Sequence, residues 1–172
     1  MAIIVQNQSG TQSGANAYVT VAEFKAYHLA RGNDHSAYSD TEIEQAIVRG
    51  TDHLDERFSY VGDPLSSGQS TEWPRSDAYD KYDDYVEGIP VEVSEATFEY
   101  AFLALGRAEL NPTPDRDGTG QMVQSKSETV GPISQSVEFV SGGRFYLPLY
   151  PRADRKLIRR GLVERRGRLF RG

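Results

Sequence analysis

Apolar residues in the first third of the chain recur at steps of three and four. Val21, Phe24, Tyr27 and Leu29 or Ala30 form one such stripe, opened by the capping box Thr20-x-x-Glu23 and followed by Gly32, which suits a helix end. The spacing predicts a helix at about 21–31. Ser39-x-x-Glu42 is a second capping box, and Ile43, Ala46, Ile47, Leu54 and Phe58 follow it, predicting a helix at about 40–58. Gly50 sits inside that helix. There it costs about 1 kcal/mol relative to Ala, which points to close packing against a neighbour. Pro90 suits the first turn of a third helix, running through Val93, Ala96, Ala101, Phe102, Leu105 and Ala108 until Asn111-Pro112 stops it at about 110. This is the most apolar of the helices and the expected centre of the core.

Other segments carry other periods. Ile3, Ile4 and Val5 read as a short strand, and residues 6–16 as a polar loop. Residues 59–89 form a long polar connection containing Trp73-Pro74-Arg75, a length unusual in a compact domain unless the segment has a task. Two β-patterned runs, 123–130 and 133–140, flank Gly131-Pro132 and predict a hairpin. The run from Phe145 to Pro151 reads as extended, and a short basic helix follows at 152–160. The expected fold is mainly α: a small bundle of three to four helices with a β-hairpin near 123–140 and an extended basic C-terminal arm. The expected division is a body at 1–143 and an arm at 144–172, the stretch 152–172 being removable without loss of the body.

Charge gives the arm its interest. Residues 144–172 hold ten Lys and Arg against two acids, net +8, and the remaining 143 residues hold nine against twenty-three, net −14. The overall charge of −6 hides an acidic body with a cationic end, and such an end usually meets something negative. At 38% the hydrophobic share lies below the roughly 45–50% of ordinary domains, as polar appendages would make it. The absence of cysteine excludes disulfides, thiolate zinc sites and cysteine nucleophiles. The opening Met-Ala-Ile-Ile-Val lacks the features of a secretory signal, and no apolar run is long enough to span a membrane. The sequence therefore reads as that of a soluble protein made in a cytoplasm.

Candidate chemistry is sparse. His28, His35 and His53 show no metal-ligand spacing and read as ordinary histidines. Asp77, Asp80, Asp83, Asp84 and Glu87 form an acidic cluster but lack the register of a calcium loop, as does Asp115-Arg116-Asp117-Gly118. No phosphate-binding glycine loop is present, and nothing favours an enzyme or a cofactor. The loop carrying the acidic cluster also carries Trp73, Arg75, Tyr79, Tyr82 and Tyr85, which are candidate subunit-contact residues. In the arm, Arg152, Arg155, Lys156, Arg159 and Arg160 share a helical spacing, while Arg165, Arg166, Arg168 and Arg171 surround Leu169 and Phe170. Nine of the ten cations are Arg, which favours paired contacts with carboxylate or phosphate and stacking on aromatic rings. A solvated tail, a nucleic-acid contact and a protein-docking arm all fit. The apolar residues among the arginines favour docking onto protein.

Several of these segments carry a resemblance. Met-Ala-Ile-Ile-Val, Ala15-Asn-Ala-Tyr18-Val-Thr-Val-Ala-Glu23, Ala26-Tyr27-His28, Ala30-Arg31-Gly32-Asn33, Thr51-Asp52-His53-Leu54-Asp55, Trp73-Pro74-Arg75, Ile89-Pro90 and Lys126-Ser127-Glu128-Thr129-Val130-Gly131-Pro132-Ile133 occur in order over about 1–140. The combination resembles the head–tail connector proteins of long-tailed phages, also called adaptor or head-completion proteins, whose relatives are often labelled DnaT-like single-stranded-DNA-binding proteins. The resemblance implies a mainly helical body and a ring of about twelve copies in the virion neck. It also implies a C-terminal extension bound to the portal, tail-side contacts to a stopper or tail-terminator protein, and duplex DNA passing through without specific binding. An acidic body suits such a channel, because each neutralised phosphate adds affinity. The loop at 76–88 is more acidic and Tyr-rich than the family pattern, and the terminal Arg-rich stretch is longer and more basic. The alternative expectation is a single-stranded-DNA-binding protein using the basic tail, with Tyr and Phe stacking on bases. Against it, the aromatic loop is also the acidic loop.

Overall fold

The computed structural model describes residues 2–106, 108–112 and 149–164, and the backbone of 123–129 and 134–139. Four helices and a two-stranded hairpin dominate them. The chain divides into two units, one of 1–110 with 150–172 and one of 111–149.

In the first unit, α1 (Val21–Leu29) and α2 (Asp40–Arg57) both begin in the capping boxes that the sequence predicts. The Thr20 and Ser39 hydroxyls accept from the amides of Glu23 and Glu42, whose carboxylates accept in return. A two-residue ladder of β1 (Asp63–Pro64) and β2 (Arg75–Ser76) follows. The third helix, α3 (Val91–Leu105), ends five residues before the expected stop. Gly106 closes it, its amide reaching back to the Phe102 carbonyl. Glycine is the poorest helix former apart from proline, so the helix ends there before Asn111-Pro112 can act. The expected N-terminal strand is reduced to a single bridge between Val5 and Ala17.

The centre of the core is α3, as its composition predicts. It packs on α1, on α2 and on the C-terminal helix α4 (Pro151–Arg160). Ile43, Ala46, Ile47 and Leu54 of α2 face Val93, Ala96, Ala101 and Ala104 of α3, all at 1% exposure or less. Gly50 sets the spacing between these two helices. A Cβ there would lie 2.9 Å from the Ala101 backbone nitrogen and 3.2 Å from its Cα. His28 is enclosed, its ring stacked 4.5 Å from Phe102 and bonded to the Phe98 carbonyl and Asn33.

The largest departure from the sequence reading lies at the C-terminal end. The expected short helix at 152–160 is present as α4, but residues 150–164 belong to the helical unit and do not form a separate arm. Ala153, Leu157 and Leu162 are fully buried, and the chain after α4 runs antiparallel to residues 59–61 through the Tyr60–Val163 bridge. The reason is amphipathy: Ala153 and Leu157 lie on the inner side of α4, and Leu162 is buried just past its end, while Ile158 stays exposed. Removing 152–172 would open the core, because each buried leucine alone stabilises by about 2–5 kcal/mol.

The second unit, at 111–149, contains β3 (Val123–Thr129) paired antiparallel with β4 (Ser134–Phe139), with a bulge between Val123 and Ser125. The predicted hairpin is therefore present. Its expected Gly131-Pro132 turn, and the expected extended run 145–148, lie outside the described residues.

Gly50→Ala tests the helix spacing. Alanine gains about 1 kcal/mol of helix propensity, but its methyl meets backbone that cannot yield. The variant should melt at a lower temperature than the wild type, and a raised melting temperature would contradict the contact.

Candidate functional site

The C-terminal helix presents one face to the core and the opposite face to solvent. Pro151 opens the helix, and Gly161 closes it in the left-handed conformation at φ 85°. A side chain at Gly161 would strike Lys81, whose Cβ lies 2.8 Å from the ideal Cβ position. This close approach joins α4 to the acidic loop, and the Lys81 amide donates to the Arg160 carbonyl at 3.1 Å.

A buried ion pair fixes the helix in rotation. Asp154 accepts from Arg57 Nε at 3.1 Å and Nη2 at 3.0 Å, and both side chains are 10% exposed. The Tyr100 hydroxyl and the Tyr150 amide also donate to this carboxylate. Burial raises the Tyr100 hydroxyl well above its ordinary range, and the hydrogen bond to Asp154 and the charge of that carboxylate raise it further. The cluster joins α2, α3 and α4 through one anion.

With α4 fixed in this way, Arg152, Arg155 and Arg159 are exposed, and Ile158 is 55% exposed beside them. They border an open groove of about 590 Å³ that is also lined by Lys81, Tyr82, Glu92, Glu95, Lys156 and Arg160. The groove carries six cations and two carboxylates. Its inner edge is neutralised: Lys156 pairs with Glu95 at 2.7 Å, and Arg160 pairs with Asp80 at 2.6 Å and Glu92 at 3.6 Å. Arg152, Arg155 and Arg159 form no ion pair among the described residues.

Beside the groove stands a compact knob, residues 77–87. Asp80 organises it from within, accepting the Tyr82 and Asp84 amides at 2.8 and 3.2 Å. Burial acts to raise the Asp80 carboxyl, but those amides and Arg160 outweigh it and hold the group below its ordinary value. Tyr79 and Tyr85 face each other edge to face at 5.6 Å, and with Tyr82 they are exposed by half or more. Asp77, Asp83, Asp84 and Glu87 point outward from the same knob. No group of three or more His, Asp or Glu side chains among the described residues could hold a metal ion.

These positions sort the residues that the sequence singled out. Trp73 and Arg75 are interior and unavailable to a partner. Trp73 is fully enclosed behind a cis peptide bond to Pro74. Arg75 spends its guanidinium on the Val61 and Gly62 carbonyls and on Glu72. They hold the loop to the body, where they were expected to touch another subunit. Lys156 and Arg160 are largely engaged within the chain, so the outward set on α4 reduces to Arg152, Arg155 and Arg159. Arg165, Arg166, Arg168, Leu169, Phe170 and Arg171 lie outside the described residues. The sequence reading gave Asp154 no role and placed Asp80 only within an acidic cluster. Each carried a signal: Asp154 falls in the first turn of the helix that Pro151 opens, and Asp80 sits centrally in the Asp-rich loop.

The fold and this face define a class: a small, mainly helical protein that displays a fixed basic helix beside an acidic, tyrosine-rich knob. The model of the family described as "Putative DnaT-like ssDNA binding protein" matches residues 1–169, and the chain belongs to that family. No curated protein and no solved structure matches it.

Asp154→Ala should cost about 3–5 kcal/mol, because it strands a buried guanidinium. The midpoint of a denaturant titration reads this directly. A change within 1 kcal/mol, on the order of a surface substitution, would show that the pair is dispensable.

Proposed function

We propose that this protein is a non-enzymatic structural adaptor of a tailed-phage neck. It assembles with copies of itself, docks on the portal, extends the DNA channel and accepts the tail-side stopper or terminator protein. The observation that carries this reading is the clamped basic helix leading directly into the Arg-rich stretch 165–171. Arg57 and Asp154 hold α4 in one orientation, so the arginines that follow start from a fixed point on the body. The ordered motifs over 1–140 support the phage assignment, and the acidic body suits a channel wall that must release DNA.

The proposed portal-binding segment can be removed without cutting into the buried part of the C-terminal stretch. Ending the chain after Glu164 spares Leu157 and Leu162 and removes Arg165, Arg166, Arg168, Leu169, Phe170 and Arg171. The shortened protein should melt like the full chain and fail to co-sediment with the portal. Undiminished co-sedimentation would defeat the portal assignment. A chain ending after Pro151 should lose its cooperative melt altogether.

One observation favours the second reading, a single-stranded-DNA-binding protein. Tyr82 is 68% exposed and lines the same groove as Lys81, Arg155 and Arg159. The aromatic ring is therefore not confined to an acidic field, and the family description points the same way. A gel-shift titration across salt separates the readings. Sub-micromolar, salt-steep binding to single strands that Tyr82→Ala and Arg155→Glu both abolish would establish the DNA reading over the adaptor.

A further inference from the structure

The outer face of the first unit carries two sets of charges with no ion-pair partner among the described residues. One is the row Arg152, Arg155 and Arg159 on α4. The other is the carboxylates Asp77, Asp83, Asp84 and Glu87 of the knob, none of which forms an ion pair among the described residues. We propose that these two sets meet between molecules: the arginine row of one copy receives the tyrosine-lined acidic knob of a second copy of this chain.

The chemistry of the two surfaces is complementary. Guanidinium pairs with carboxylate through two parallel N–H donors and stacks on aromatic faces, and the knob offers both kinds of partner. The chain already uses this combination internally. The Arg31 guanidinium lies 3.4 Å from the centre of the Tyr27 ring and pairs with Glu95 at 3.7 Å.

Both surfaces are set before they meet. The row lies on a helix held by a buried ion pair, and the knob is closed by the Asp80 hydrogen bonds, the Val86-to-Ala78 backbone bond and two left-handed aspartates, Asp77 and Asp83. The backbone of both is ordered before contact, so the ordering cost that remains is that of fixing the exposed side chains. Within one molecule the edge between the row and the knob is occupied by the Lys156–Glu95, Arg160–Asp80 and Arg160–Glu92 pairs.

This inference deepens the adaptor reading by assigning the contact between copies, and it rests on that reading only for the assembly that the contact serves. Its test contains no portal, so either idea can fail alone.

Sedimentation velocity at low and high ionic strength, about 0.1 M and 1 M salt, supplies the measurement, since screening shortens from about 10 Å to about 3 Å between them. Two full-length variants are needed, Arg155→Glu with Arg159→Glu, and Asp84→Arg with Glu87→Arg. Circular dichroism melts establish that each is folded. The milder Arg155→Ala with Arg159→Ala replaces the first variant if that one melts early. The wild type should associate at low salt and dissociate at high salt. Each reversed variant should sediment as a monomer. An equal mixture of the two reversed variants should associate again, because each reversed row then faces a reversed knob and each native row a native knob. A wild type that stays monomeric at low salt, variants that associate as it does, or a mixture that stays monomeric would each overturn the contact.

Discussion

One buried carboxylate sets the orientation of everything this protein presents on its basic face. Asp154 accepts Arg57 from α2, Tyr100 from α3 and the Tyr150 amide that opens α4. A buried ion pair of this kind contributes little net stability over an apolar substitute, because desolvation offsets attraction. Its use lies in specificity. Leucines would hold α4 against the core at many rotations, whereas a bidentate guanidinium accepts one. With that rotation fixed, Ala153 and Leu157 point inward, and Arg152, Arg155 and Arg159 must point out.

The same division of labour governs the charges around α4. Cations nearest the core are matched one by one, Lys156 by Glu95 and Arg160 by Asp80 and Glu92. Those farthest from it are left without partners among the described residues. Pairing at the inner edge keeps the helix from being repelled by its own neighbours. Leaving the outer row unmatched keeps its guanidiniums available. Surface pairs are worth at most about 1 kcal/mol each, so their absence costs the fold little.

Much of the fold was legible because its signals are local. The capping boxes at Thr20 and Ser39 mark both helix starts through hydrogen bonds between residues three apart. Gly50 announced a close helix contact because nothing else justifies its conformational cost within a helix. The hairpin at 123–139 followed from alternation. The misreadings arose where tertiary contact decides. Trp73 and Arg75 sit in a polar loop, and only the carbonyls of Val61 and Gly62, folded back from a distance, show that the loop is lined from within. The C-terminal stretch reads as an arm because net charge dominates its composition. Charge describes what a helix shows to water, and Leu157 and Leu162 describe what it hides.

That distinction changes what a basic C-terminal end implies. A free arm meeting a partner must lose conformational entropy at every residue, about 1–2 kcal/mol of backbone entropy each. Arginines on a clamped helix have lost most of theirs on folding, and the core supplies the compensation through Ala153, Leu157 and Leu162. Affinity then depends on the match between guanidiniums and the opposing surface, and less on the number of contacts. A row of three arginines on a fixed axis selects for spacing and shape as well as for sign. Single-stranded DNA, a flexible polyanion, satisfies sign readily and shape poorly. A folded surface that carries carboxylates and aromatic rings at fixed positions satisfies both, and the chain displays such a surface in its own residues 77–87.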